Sequence, residues 1–295
     1  MTTTFAVEPT IANQNFTVRP FAGLGAEIIG LDLAQPLNEH DFARIYRAHL
    51  EHHVVVFRDQ YITPEQHIAF SRRFGKLQIH VLEQFLLSGY PEILIVSNII
   101  ENGKPIGLGD AGKYWHSDLS YKVVPSLGSM LYAQELPAEG GDTLFADMHQ
   151  AWETLPDELR TAIEGRHAVH AYTATYSKPK FGEQWRPTLT EEQLAQVKAV
   201  SHPIVRTHPD TGRKALFVSE GFTTHIEGLE EEESRTLLQA LYDHSIQPQH
   251  LYRHVWQSGD LLFWDNRSLI HLATGCPEHL RRKLYRTTIE GDAPF

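Results

Sequence analysis

The pattern that most restricts the fold is Trp115-His116-Ser117-Asp118, followed far along the chain by Trp264-Asp265-Asn266-Arg267-Ser268-Leu269-Ile270-His271. In an extended segment residues 116 and 118 point the same way, roughly 6.6 Å apart at Cα, so an imidazole and a carboxylate there can converge on one ion. His271 would complete a set of two histidines and one carboxylate, which suits non-haem Fe(II) and leaves the opposite face open. Such a set demands a fold that lays strands remote in sequence side by side. Zinc can use the same ligands, and with 18 histidines in the chain a chance partner for a His-x-Asp triplet is easily found.

The rest of the chain reads as short strands punctuated by turns, with helices between them. Asn38 to His52 carries Phe42, Ile45, Tyr46 and Leu50 at helical spacing, and Val54-Val55-Val56-Phe57 follows as a buried strand. Thr63-Pro64-Glu65-Gln66 is a helix start: a capping threonine, a proline suited to the first turn and a glutamine able to complete a capping box. Strands are expected at 93–99, 127–134, 143–146, 204–207, 215–219, 251–256, 260–264 and 283–290, with helices at 147–155 and 229–244. Asn102-Gly103, Gly140-Gly141-Asp142 and Pro209-Asp210-Thr211-Gly212 mark turns. Gly23-Leu24-Gly25 is a turn as well, because it lacks the strand and third glycine of a dinucleotide-binding loop. The pattern predicts a mainly β fold with flanking helices, a cupin-like jelly-roll barrel. A single domain over 1–295 is expected, with 1–15 flexible.

Composition narrows the role. A net charge of −11 argues against a nucleic-acid or anionic-membrane partner. Any anionic ligand must be drawn by local cations, for which Arg282 and Arg286 are candidates. The single cysteine, Cys276, excludes an intrachain disulfide and a thiolate cluster, which fits a reducing cytoplasm. Met1 to Gln14 has neither the cationic start nor the apolar core of a signal peptide, and no apolar run is long enough to span a bilayer; a cytoplasmic location is expected. His52-His53, His167 with His170, and His250 with His254 lack acidic or cysteine partners at ligand spacing and read as structural or surface groups.

Four stretches together resemble the taurine/2,4-D dioxygenase family from about Phe21 to the C-terminus. They are Trp115-His116-Ser117-Asp118, Glu139-Gly140-Gly141-Asp142-Thr143, Trp264-Asp265-Asn266-Arg267 with His271, and Arg282-Lys283-Leu284-Tyr285-Arg286. The resemblance implies a double-stranded β-helix and an Fe(II)- and 2-oxoglutarate-dependent dioxygenase. Decarboxylation of 2-oxoglutarate with O2 would yield succinate and CO2 while a substrate C–H bond is hydroxylated. His116, Asp118 and His271 would be the iron ligands. Thr143 would hydrogen-bond the distal carboxylate of 2-oxoglutarate and Arg282 would pair with it, a guanidinium offering the two parallel donors that a carboxylate matches. A homo-oligomer, dimer or tetramer, is implied too.

On the substrate side, the resemblance assigns Arg286 to the sulfonate or carboxylate of a small organic anion. His80 matches a histidine that assists sulfonate binding, and Phe222 an aromatic that lines the pocket. The plain alternatives are a structural histidine and a core phenylalanine. Two positions depart from the taurine-type pattern: Glu83 stands for a tyrosine and Gly112 for an asparagine. On this reading the substrate is a sulfonate or sulfate ester, supported by His80 and the Glu220-Gly221-Phe222-Thr223-Thr224 stretch. The alternative is an aryloxyalkanoate of the 2,4-D type or another carboxylate, supported by Glu83 and Gly112, neither of which offers the polar group that binds a small aminosulfonate. A zinc-dependent hydrolase and a non-catalytic 2-oxoglutarate-binding barrel are more distant alternatives. Tyr172 to Pro187 reads equally as a lid or as a surface loop.

Overall fold

The structure, a computed structural model, describes residues 12–109, 112–177 and 189–295. An eight-stranded sheet runs in the spatial order Thr17–Pro20, Ala26–Ile29, Val54–Phe57, Leu261–Asp265, Ser126–Glu135, Lys283–Glu290, Tyr90–Ser97, Leu86–Leu87. A second sheet has three strands, Leu251–His254, Thr143–Asp147 and Leu269–Ala273. Neighbours are antiparallel except Ala26–Ile29 against Val54–Phe57.

Side-chain alternation explains the layering. In Val54–Phe57 every residue is buried, but on two different faces. Val54 and Val56 join Leu131, Ala133, Leu262, Trp264 and Leu284 in a core shared with Phe145 and Leu269 of the smaller sheet. Val55 and Phe57 join Met130, Tyr132, Leu261 and Phe263 beneath Ile45 and Ile68 of the helices Glu39–His52 and Pro64–Arg72. The outer face of the smaller sheet, with Ala146 and Ile270, packs on Ala151, Ile163, Leu238 and Leu241 of three further helices. The layers are therefore helix, sheet, sheet, helix.

The local signals act where they were read. Thr63 and Gln66 form the reciprocal capping box at the second helix, while at the first Asn38, not singled out as a cap in the sequence, accepts from the Asp41 N–H. Gly23-Leu24-Gly25 is the turn of the opening hairpin, with the Phe21 N–H on the Gly25 carbonyl at 2.9 Å. That hairpin and the strands His167–His170, Val200–Pro203 and Thr223–Ile226 lie outside the expected strand set. They are four residues each, and their alternation is broken by polar positions. Of the N-terminal stretch expected to be flexible, 1–11 lies outside the described residues, while the Gln14 N–H is bonded to Asp41 at 2.6 Å. No helix among the described residues is long and apolar enough to cross a membrane.

Packing this tight buries histidines that have no counter-charge. Burial pushes His67, between the Pro64–Arg72 helix and the large sheet, down to about 3; burial, with His202 beside it, does the same to His170. Their folded pKa values lie below the unfolded value of about 6.5. The unfolded chain therefore binds more protons as the pH falls, and stability present above pH 6.5 is lost progressively down to about pH 3. Each histidine accounts for a loss of about 2 kcal/mol between pH 7 and 5. Urea unfolding of the His67→Gln variant across that range should show a pH slope shallower by about one proton; an unchanged slope would contradict the assignment.

Candidate metal centre

His116 and His271 are brought together by their own backbones. The His116 N–H donates to the His271 carbonyl at 3.0 Å and the His271 N–H to the His116 carbonyl at 2.8 Å, an isolated antiparallel bridge beside the small sheet. Their ring centroids are 4.1 Å apart. His116 Nε2 lies 3.6 Å from Asp118 Oδ1, and His271 Nε2 lies 3.9 Å from Asp118 Oδ2. Among the described residues, His116, Asp118 and His271 are the group whose ligand atoms all fall within 4.8 Å of one another, and all three are buried. The chain does not run on as a strand past the bridge. It turns at Asp118, and Leu119 takes a left-handed φ of 58°.

The donor chemistry fits a divalent metal. His116 Nδ1 is 2.9 Å from the Tyr114 carbonyl, which can only accept, so the ring proton sits there and Nε2 keeps its lone pair. Burial and the neighbouring His116 hold His271 well below the ordinary imidazole range, in its neutral form. Burial alone would raise Asp118, but the Arg286 guanidinium beside it holds it well below the usual carboxylate range. Backbone closes tightly on the ligand ring. A Cβ on Gly112 (φ +74°) would stand 2.5 Å from His116 Cε1, and one on Gly221 only 2.4 Å from Tyr114 Cδ2 and 3.1 Å from His116 Cβ. Two imidazoles and one carboxylate, buried and convergent, are the facial donor set of non-haem Fe(II).

Residues 17–288 match the sequence family described as the taurine catabolism dioxygenase TauD, TfdA family. The chain belongs to that family. It is 36% identical, over 94% of its length and 97% of the relative's, to the alpha-ketoglutarate-dependent 2,4-dichlorophenoxyacetate dioxygenase of Cupriavidus pinatubonensis. It is 35% identical, over 94% of its length and 96% of the relative's, to the (S)-phenoxypropionate/alpha-ketoglutarate-dioxygenase of Sphingobium herbicidovorans. The solved structure of AAD-2 in complex with Mn(II) and N-oxalylglycine superposes with a TM-score of 0.80 at 31% identity, covering 95% of this chain and 99% of that one. This TauD/TfdA-family protein is thus an Fe(II)- and 2-oxoglutarate-dependent dioxygenase with the family's jelly-roll fold.

The other residues singled out in the dioxygenase fall at different distances from the triad. Arg286 Nη1 lies 3.1 Å from Asp118 Oδ1. The Phe222 ring stands edge-on to His116 at 5.8 Å and to Tyr121 at 4.8 Å. His80 accepts the Leu82 N–H on Nδ1 at 3.1 Å and lines a small cavity with Leu119, Tyr121 and Thr288. Glu83 is exposed at the head of a short 3-10 turn, so its carboxylate is turned to solvent. Arg282 is buried: its N–H donates to Asn98 Oδ1 at 2.9 Å and its Nε to the Gly141 carbonyl at 3.1 Å. Gly141 must be glycine there, since φ is +78° and a Cβ would stand 3.1 Å from Arg282 Cδ. Of the 172–187 segment, Tyr172–Ser177 is a 3-10 turn whose Tyr172 packs edge-on to Tyr121 at 5.2 Å; 178–188 lies outside the described residues.

Three neighbours escaped the sequence reading. Asn266 clamps the ligand segment: its carbonyl accepts from Ser117 Oγ at 2.8 Å and its Oδ1 from the Asp118 N–H at 3.3 Å. Trp256 Nε1 donates to Thr143 Oγ1 at 3.2 Å. Ser129 Oγ donates to Asp118 Oδ2 at 2.7 Å. Asn266 was quoted in its motif without this role, and for Ser129 the one signal was a polar residue at an inward position of an apolar strand, which periodicity alone cannot separate from tolerated noise.

Proposed function

We propose that this dioxygenase hydroxylates an aryloxyalkanoate, with His116, Asp118 and His271 as the iron ligands. The single observation that carries the substrate class is an arginine and an aromatic wall flanking the same ligands. Arg286 Nη1 is 3.1 Å from Asp118, and the Phe222 ring stands 5.8 Å from that of His116. An aryloxyalkanoate is a carboxylate joined to an aryl ring, and offers each a partner. The names of the two relatives at 36% and 35% identity support this reading over the sulfonate that the sequence favoured.

Arg282 would hold the distal carboxylate of 2-oxoglutarate. It is a buried cation with no carboxylate in ion-pair range among the described residues, whereas buried Arg206 pairs with Asp292 and buried Arg267 with Asp210 and Asp265. Burial pushes its pKa down to about 10, with Cys276 and Asp142 partly offsetting this; an incoming carboxylate would restore its charge balance. Thr143, whose hydroxyl oxygen accepts from Trp256, is left with its own proton to donate to the same carboxylate. When bound, Fe(II) with 2-oxoglutarate and O2 supplies the oxidant, one oxygen atom entering succinate and the other a substrate C–H bond. Arg286 would orient the carbon between carboxylate and ether oxygen toward the triad, and the buried aromatic rings would keep bulk water from it. Hydroxylation at that carbon gives a hemiacetal or hemiketal, which breaks its C–O bond to release a phenol and a 2-oxo acid.

The test is succinate and phenol measured together, with Fe(II), ascorbate and a panel of 2,4-dichlorophenoxyacetate, (S)-phenoxypropionate, alkyl sulfates and sulfonates. Equimolar phenol and succinate with the aryloxy acids is expected. Succinate driven by sulfonates or sulfates alone, with sulfite or sulfate release, would overturn the substrate class.

A further inference from the structure

Asp118 has two oxygens, and its neighbours treat them differently. Oδ1 faces His116 Nε2 at 3.6 Å and Arg286 Nη1 at 3.1 Å. Oδ2 accepts the Ser129 hydroxyl at 2.7 Å and faces His271 Nε2 at 3.9 Å. Ser129 lies in the middle of Ser126–Glu135, paired to Trp264 on one side and Thr288 on the other, and is fully buried. The inward residues that follow it on that strand, Leu131 and Ala133, belong to the apolar core between the sheets. A hydroxyl in such a row is costly without a partner, and Asp118 is the partner it has.

The main chain of the ligand is held separately. Asn266 holds the Ser117 hydroxyl and the Asp118 N–H. That leaves the carboxylate plane, whose terminal torsion is intrinsically broad and selects no rotamer sharply. We propose that Ser129 is the positioning residue that sets this plane, so that Asp118 meets the metal through Oδ1 alone. With Oδ2 tied to the sheet, the carboxylate cannot swing to offer both oxygens. A carboxylate held to one oxygen in this way would leave room beside a bound metal for the cosubstrate. The inference rests on His116, Asp118 and His271 being the ligands.

The test is Mn(II) affinity, by EPR titration of metal-free protein, for wild type, Ser129→Ala, Ser129→Thr and His116→Ala, with thermal melts of each metal-free form. Loss of an outer partner of a metal ligand weakens binding about 10–100-fold, which is expected for Ser129→Ala. Ser129→Thr, which keeps the hydroxyl, should return to within a few-fold of wild type. If Ser129→Ala binds Mn(II) within twofold of wild type while its metal-free Tm falls, the serine serves folding alone and the proposal is overturned. It is equally overturned if the threonine variant binds as weakly as the alanine one while keeping the wild-type Tm. Wild-type Mn(II) affinity in His116→Ala would instead overturn the ligand set itself.

Discussion

Replacing His116 with alanine is expected to lower 2-oxoglutarate-coupled succinate formation by more than about 100-fold, beyond what loss of a ligand's outer partner costs. The side chain supplies one of three convergent donors, and its Nε2 is the atom left free when Nδ1 bonds Tyr114. The protein should still fold. The bridge to His271 runs through backbone N–H and carbonyl groups, which alanine keeps. What the variant gives up in packing is the ring contact with Phe222 and His271, a cavity whose cost falls in the few-kcal/mol range of large-to-small core changes. Succinate assays over a range of Fe(II) concentrations, beside a circular-dichroism melt, separate the two effects. Equal iron-dependent turnover in a folded variant would sink the metal assignment.

Replacing Arg282 with leucine is expected to raise the KM for 2-oxoglutarate by at least about 100-fold, with a much smaller effect on the KM of the organic substrate. A hydrogen bond to a charged group is worth about 1.5–3 kcal/mol, and a guanidinium gripping a carboxylate makes two. Arg282→Lys keeps a cation but not the fork, and should fall between wild type and Arg282→Leu. Leucine is tolerable at this position because Arg282 is buried, and the change removes a charge with no carboxylate in ion-pair range among the described residues. Direct binding of 2-oxoglutarate to the Mn(II)-loaded protein, by calorimetry, checks the same point without turnover. A KM within threefold of wild type would assign the distal carboxylate elsewhere.

Much of this protein was legible before any coordinates, and particular residues show why. The capping box at Thr63 and Gln66 and the Lys283–Glu290 strand are written in neighbouring residues, and local chemistry decides them whatever the rest of the chain does. His-x-Asp was legible for the same reason. Its extension, however, stops at Asp118, where the chain turns through a left-handed Leu119 that no alternation pattern announces. Leu269–Ala273, the strand carrying the third ligand, was not among the expected strands, and the short pieces of the opening hairpin were missed with it. The turn Asp265-Asn266-Arg267-Ser268 shows a further gap. As a motif it was recognised by resemblance, but its work is three-dimensional: Asp265 lies buried against Arg267 at 2.7 Å and His208 at 3.0 Å, while Asn266 grips the segment holding Asp118.

By itself, then, the sequence determined the types of donor available, the order of the strand-forming and helix-forming segments, and the two arginines near the C-terminus. Only the tertiary structure decided which histidines converge. Among the described residues His49, His67 and His254 are fully buried and join no metal set, whereas His116 and His271 meet because strand register lays their backbones side by side. It also decided that Ser129 lies under Asp118, that Arg282 is buried without an acidic partner among the described residues, and that Gly112 and Gly221 close on the ligand ring. The contacts of His116 with His271, Arg282 with Gly141 and Gly221 with Tyr114 join segments far apart in the chain. Such contacts depend on how sheets pair and pack, and a one-residue shift of register in a strand would send its side chains to the opposite face.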